Sequence, residues 1–282
     1  MANIAAKDVA ALRKITGAGM MDCKKALGET EGDIEAAKTW LREKGLAAAA
    51  KRTGRDATQG SIVVAENDDV AVVLELCCET DFVAKGQGFL DFAQQLADQA
   101  LNNGAELASQ KFGDTDETVD EAIKALAGSL GENISLGRVE RFESSTGLLD
   151  VYLHVQAERG VLGVIVEIDG VDKDSDAAKQ TAHDVALHIA SAAPRYVTDD
   201  QVPQSEIEAE REVVAIQAAG EGKPDNVTAK IVEGRMKSFL KEIVLVDQPY
   251  IRDTSVTVGK LVSQLGPDAK VSRFARVKIG EN

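Results

Sequence analysis

Aromatic residues are scarce in this 282-residue chain: 4%, with one Trp, three Tyr and seven Phe. Its core has to be aliphatic and alanine-rich, and an aromatic on a loop stands out. Cysteine is equally thin. Cys23, Cys77 and Cys78 are an odd count with two adjacent, a poor basis for a disulfide framework, and a reducing compartment is the simplest home. No apolar run reaches the ~18 residues of a membrane span. The opening Met1-Ala2-Asn3-Ile4 has neither the charged-then-apolar order of a signal peptide nor an Arg/Ser-rich transit character. A cytoplasmic protein with no membrane partner is the expectation.

Groups that do covalent chemistry are as sparse. Of three histidines, His154 falls on an expected strand, and His183 and His188 lie five apart on an expected helix. That is not the i,i+4 spacing that turns two imidazoles toward one metal, and no Glu lies between them. There is no Gly-x-Ser-x-Gly elbow and no Gly-x4-Gly-Lys-Ser/Thr loop. Gly17-Ala18-Gly19 lacks the third glycine of a dinucleotide fingerprint and precedes no βαβ unit. Cys77 and Cys78 have no nearby His and sit in an expected strand, a poor place for a nucleophile. No enzyme, metal or cofactor is expected.

What is plentiful is negative charge. The net charge of −15 disfavours direct nucleic-acid binding. Residues 1–55 nevertheless carry 11 Lys and Arg against 7 Asp and Glu, the remainder 21 against 40. A small basic end on an acidic body suggests two modules, the basic face either meeting an acidic protein surface or simply solvated.

The patterns divide the chain at 1–54, 55–140, 141–203, 204–237 and 238–282. The first segment predicts three helices: Asp8 capping one with Val9, Leu12 and Ile15 on one face, Met20-Met21-Asp22 opening the next, and Asp33 capping a third that ends at Gly45. Met20 and Met21 either fill the gap between short helices or offer flexible thioethers to a partner. Next, Ser61–Ala65 and Val70–Cys78 predict a hairpin around Asn67, followed by helices at Phe89–Asn102 and Glu117–Ala127 and a strand through Val139 and Phe142. Strands Leu148–Gln156 and Val161–Ile168, around a turn at Glu158-Arg159-Gly160, precede a helix over Ala177–Ala193. Strand-strand-helix thus occurs twice, predicting two similar α+β subdomains. From Pro203 to about Lys237, two polar helices with narrow apolar seams read as a projecting antiparallel hairpin. Phe239, Ile243 and Val246 then lead to Gln248-Pro249-Tyr250, a helix at Val258–Leu265 and a strand at Val271–Ile279.

The segment Glu79-Thr80-Asp81-Phe82-Val83-Ala84-Lys85 joins a buried strand to a helix. On local pattern, Asp81 capping a turn with Phe82 tucked into the core is the plainer reading. A binding loop held by a rigid sheet is the other.

Several motifs bear on that choice. Thr16-Gly17-Ala18-Gly19-Met20-Met21-Asp22-Cys23-Lys24-Lys25-Ala26-Leu27, then Gly32-Asp33-Ile34-Glu35-Ala36-Ala37, resembles the amino-terminal domain of the bacterial elongation factor Ts family. Glu79-Thr80-Asp81-Phe82-Val83 resembles its core motif. Gly131-Glu132-Asn133-Ile134, Tyr152-Leu153-His154, Gly222-Lys223-Pro224, Ile231-Val232-Glu233-Gly234-Arg235 and Gln248-Pro249-Tyr250 follow in the family's order. The resemblance implies an α+β fold: a ubiquitin-associated-like three-helix domain, a two-subdomain core with antiparallel sheets, and an inserted coiled-coil helical hairpin. It implies a guanine nucleotide exchange factor for elongation factor Tu in translation elongation, without cofactor. Asp81 and Phe82, flanked by Thr80 and Val83, match the pair pushed toward the partner's magnesium and phosphate sites. Arg13, Met20 and Met21 match a grip on the same GTPase domain, Leu130 and Gly131 a contact turn beside the loop, and His154 a position facing another domain of the partner. Longer relatives continue into a terminal helix that also braces the partner, a contact not carried over here. The 204–237 hairpin is left open to a homodimer, a GTPase contact, or both. An adaptor working through residues 1–55 alone is the rival reading, and it makes Asp81 and Phe82 dispensable.

Overall fold

The computed structural model describes residues 4–16, 18–50, 52 and 54–281. Gly17, expected to close the first helix, and Lys51 and Thr53 of the expected linker lie outside the described residues. The fold is α+β.

Helices α1 (Ala6–Thr16), α2 (Met20–Glu29) and α3 (Ile34–Ala50) close around Val9, Leu12, Cys23, Ala26, Leu27 and Ala37. Asp33 starts α3 as expected, its Oδ1 accepting from the Ala36 N–H at 2.9 Å. Three expectations change. Asp8 lies inside the first turn of α1, where its charge suits the helix dipole, instead of capping it. Ile15, expected on the buried face, is exposed in the last turn. Gly45 does not end α3: the helix runs on to Ala50, and Gly45 lets it cross a core helix at backbone distance.

The first sheet is antiparallel, ordered β1 (Gln59–Glu66), β2 (Val70–Cys78), β3 (Ser135–Glu143). Asn67 turns the hairpin, its Oδ1 accepting from the Asp69 and Val70 N–H groups at 3.0 and 2.8 Å. Between β2 and β3 come α4 (Asp81–Ala84), α5 (Gln87–Asn103) and α6 (Val119–Leu130), the last opened by a Thr118/Glu121 capping box.

The second sheet repeats the plan: β4 (Leu148–Gln156) and β5 (Arg159–Asp169) form a hairpin, and its third strand returns from the chain's end. The turn is Ala157-Glu158, both at positive φ (51° and 68°), not 158–160 as expected. Gly160 therefore lies within β5, where a Cβ would stand 2.1 Å from the Ile62 carbonyl oxygen, so its role is close approach of the sheets. Helix α7 (Asp176–Ala192) follows, then the hairpin arms α8 (Gln204–Ala219) and α9 (Asp225–Ile243). α9 runs past 237, so Phe239 and Ile243 belong to it and pack at its base with Val202 and Val244. The short pair β6 (Pro249–Tyr250) and β7 (Asp253–Thr257), α10 (Val258–Ser263) and β8 (Lys270–Lys278) complete the chain, β8 pairing with β5.

The faces of the two central strands give the layering. Val70, Val72, Leu74 and Leu76 of β2 face α5 and α6, while Ala71 and Val73 meet Ile62, Ile165 and Val277 between the sheets. Leu162, Val164, Val166 and Ile168 of β5 face α7 and α10. The order is helices, sheet, sheet, helices. A strand buried on both faces needs apolar residues without alternation, which is why β2 and β5 are apolar over most of their length, with Glu75 and Glu167 the buried exceptions.

Candidate functional site

A nearly continuous β2 delivers the chain to a tight, two-point anchor. The Cys78 thiol donates to the Thr80 carbonyl (3.2 Å), and Thr80, in extended conformation, caps α4 by accepting from the Val83 N–H (3.4 Å). Four residues make one helical turn, too short to persist without such ties. Ala84 is buried and Val83 packs on the first sheet's core, so the opposite side of the turn must face outward. Phe82 is 84% exposed there. The plainer expectation is thus corrected twice: the ring is outside the core, and the cap is Thr80, not Asp81. Asp81 instead accepts from Lys85 Nζ at 2.6 Å. That hydrogen bond holds the carboxyl below the usual range for an aspartate, and it is ionised at neutral pH.

The α6–β3 turn lies alongside. Gly131 ends α6 in the left-handed region (φ 79°), its N–H donating to the Ala127 carbonyl. The next residue ties the two loops together. Glu132 Oε2 accepts from the Glu79 and Thr80 N–H groups at 3.1 and 3.0 Å, and the Thr80 hydroxyl donates to Oε1 at 2.5 Å. In return Glu79 Oε1 accepts from the Asn133 N–H at 2.7 Å, and its Oε2 from Arg55 at 3.4 Å. On the other side, Ser129 Oγ donates to the Thr16 carbonyl at 3.1 Å, joining the end of α6 to the end of α1. Hydrogen bonds thus run without a break from α1 through α6 and its turn to α4.

On these elements and on α2 stand Ile15, Met20, Met21, Leu130 and Phe82, all exposed large apolar residues. Met21 is 75% and Met20 58% exposed, so the thioethers do not fill the gap between helices. Isolated exposed apolar residues need no explanation by themselves. Arg13 is exposed on α1. His154 stands apart, exposed on the edge strand β4 with its Nδ1 3.0 Å from the Tyr152 hydroxyl.

Glu79, Glu132 and Ile15 were not singled out for these roles by the sequence. Glu132 and Glu79 sit inside recognisable motifs, but nothing local announces a partner 53 residues away. The Asp81–Lys85 pair was missed too, although its i,i+4 spacing is a signal that could have found it.

Burial, with Glu75 beside Cys77 and Glu132 near Cys78, pushes both thiols up to about 12. Among the described residues no group of three His, Cys, Asp or Glu gathers to hold a metal, and no helix is long and apolar enough to cross a membrane.

The family model described as Elongation factor TS matches residues 79–281. Curated relatives named Elongation factor Ts extend the match over nearly the whole chain. The protein of Halothermothrix orenii is 41% identical over 99% of this chain and 93% of its own length. That of Prosthecochloris aestuarii is 42% identical over 99% of this chain and 100% of its own. That of Clostridium novyi is 40% identical over 99% and 93%. With the match spanning both sheets, the hairpin and the amino-terminal helices, this chain belongs to the elongation factor Ts family.

Proposed function

We propose that the chain is a guanine nucleotide exchange factor for elongation factor Tu, making and breaking no covalent bond and acting in the cytoplasm. The observation that carries this reading is Phe82: an aromatic ring 84% exposed on a capped helical turn that a rigid sheet supports. A factor that binds the nucleotide-free GTPase better than the loaded form must weaken nucleotide binding by the same ratio. A thousandfold faster release needs about 4 kcal/mol of barrier lowering. Full burial of one Phe contributes roughly 2–3 kcal/mol, and Met20, Met21 and Leu130 supply the remainder. In this reading Phe82 spreads partner residues beside the phosphates and Asp81 brings a carboxylate to the magnesium side. Thr80 and Val83 hold the turn, and Arg13 with the basic amino-terminal helices meets the same GTPase domain. Gly131 lets the Leu130 turn approach, and His154 faces a different domain of the partner. In the hairpin, Val213, Ile216 and Val227 are exposed, the apolar surface left for the GTPase or a second copy.

The test is release of a fluorescent GDP analogue from elongation factor Tu with wild-type chain and with Phe82→Ala. Losing 2–3 kcal/mol of burial predicts stimulation reduced roughly 30- to 150-fold. Native stimulation by the variant refutes the wedge.

A further inference from the structure

The loops that carry Phe82 and Leu130 hold each other by crossed carboxylates, and the two crossings are unequal. Glu79 takes one N–H from the opposite turn and a distant Arg55 contact. Glu132 takes both N–H groups that precede α4 and the hydroxyl of its cap. The last contact sets the polarity of the cap. A hydroxyl has one proton; with it committed to Glu132, the Thr80 oxygen is left to accept from Val83 and start the turn. Remove the carboxylate and the hydroxyl is free to rotate, two backbone N–H groups turn to water, and a four-residue helix loses what fixes its start. Hydrogen bonds to an ionised acceptor are stronger than neutral ones, so charge is part of the device.

We infer that Glu132 is a positioning residue for exchange: it touches no nucleotide and acts by holding Phe82 in the orientation that enters the partner. The inference deepens the wedge reading above and rests on it. A pre-set ring spares the partner the ordering cost at the moment of insertion. The effect therefore falls on the rate at saturating factor, and it passes through the turn that carries Phe82.

The experiment compares Glu132→Ala, Phe82→Ala and the double variant, each full length, in release of a fluorescent GDP analogue from elongation factor Tu at saturating factor. Amide hydrogen exchange of the free proteins runs in parallel. Glu132→Ala is expected to lower the maximal rate tenfold or more. It should add less than twofold to the loss already caused by Phe82→Ala, because both act at one point. The Glu79 and Thr80 amides should exchange at least tenfold faster, with β2 protection unchanged. If Glu132→Ala does not fold, Glu132→Gln carries the test with an expected loss of threefold or more, again absent from the Phe82→Ala background. Native exchange by Glu132→Ala beside a defective Phe82→Ala overturns the inference, as does a loss that multiplies with that of Phe82→Ala. Native exchange by Phe82→Ala overturns the wedge itself and Glu132's part in exchange with it, while the amide data still report whether the latch exists.

Discussion

The crossing of α3 over α6 is a place where one methyl group should be felt across the molecule. A Cβ built on Gly128 lies 2.7 Å from the Cα and carbonyl carbon of Gly45 and 2.9 Å from its oxygen. Carbon atoms pack at about 3.5–4.0 Å, and these are backbone atoms that cannot swing aside, so the helices must part by roughly an ångström. Overpacking of this kind costs about 1–3 kcal/mol. Gly128→Val recovers only about 0.3–0.5 kcal/mol of helix propensity against that. Among the described residues, the polar ties across the junction are the Ser129–Thr16 hydrogen bond and the Arg42–Glu117 pair at 2.7 Å, the latter partly exposed and weak. A three-helix module with so small a core is marginal by itself, so strain at the crossing should unfasten residues 4–50 before it unfolds the sheets. Trp40, the only tryptophan, packs in that module. In urea, its fluorescence transition in Gly128→Val should move to lower denaturant than the far-UV circular dichroism transition of the core. Gly45→Ala meets Gly128 at 3.3 Å, a few tenths too close, and gains about 1 kcal/mol of helix propensity; its midpoint should stay near that of the wild type. Coincident, unshifted transitions for Gly128→Val would show that the helices do not cross at this distance.

Two further outcomes follow from buried groups. With Cys77 and Cys78 pushed up to about 12, only about 1 thiolate in 10,000 exists at pH 8. In a Cys23→Ala background the native protein should react with an aromatic disulfide reagent far more slowly than free cysteine, and rapidly once urea is added; prompt stoichiometric labelling of the native chain would contradict this. His188 is buried with Nε2 2.7 Å from Gln248 Oε1, and its Nδ1 accepts from the Ile251 N–H at 3.3 Å. Burial lowers its pKa below the unfolded value of about 6.5. As pH falls, the unfolded chain takes the proton first, so His188's contribution is complete above about pH 6.5 and is lost below it. Asp150, pushed up to about 6 by burial despite His183, works in the opposite sense. The diagnostic is therefore the difference: between pH 7.5 and 5.5, wild type should lose more urea stability than His188→Gln, and equal losses would remove His188 from the account.

Much of the architecture was legible because burial leaves a pattern. The apolar run of β2, interrupted only by Glu75, read as a buried strand, and Asp33 three residues before Ala36 announced a helix start. Glycine misled because one residue serves two ends. Gly45 has the look of a helix terminus, yet its lack of a side chain is used sideways, against Gly128. Gly160 resembles a turn residue, but two non-glycine residues take the positive φ angles and free it to let the sheets touch. The site was half visible. An acid and an aromatic on a strand-to-helix segment marked Asp81 and Phe82, but the local spacing is the same with the ring in or out. What decides is Ala84 and Val83 filling the inner side of the turn. The Glu132 tie was not visible at all, because a carboxylate's backbone partners far along the chain leave no mark on its neighbours in sequence.

We propose that this chain loosens another protein's hold on guanine nucleotide. The direct measurement is dissociation of a fluorescent GDP analogue from elongation factor Tu at rising concentrations of the wild-type chain. A saturating rise in the release rate is predicted, with excess GDP dissolving the complex that forms when nucleotide is withheld. A release rate that stays at its spontaneous value at every concentration would contradict it.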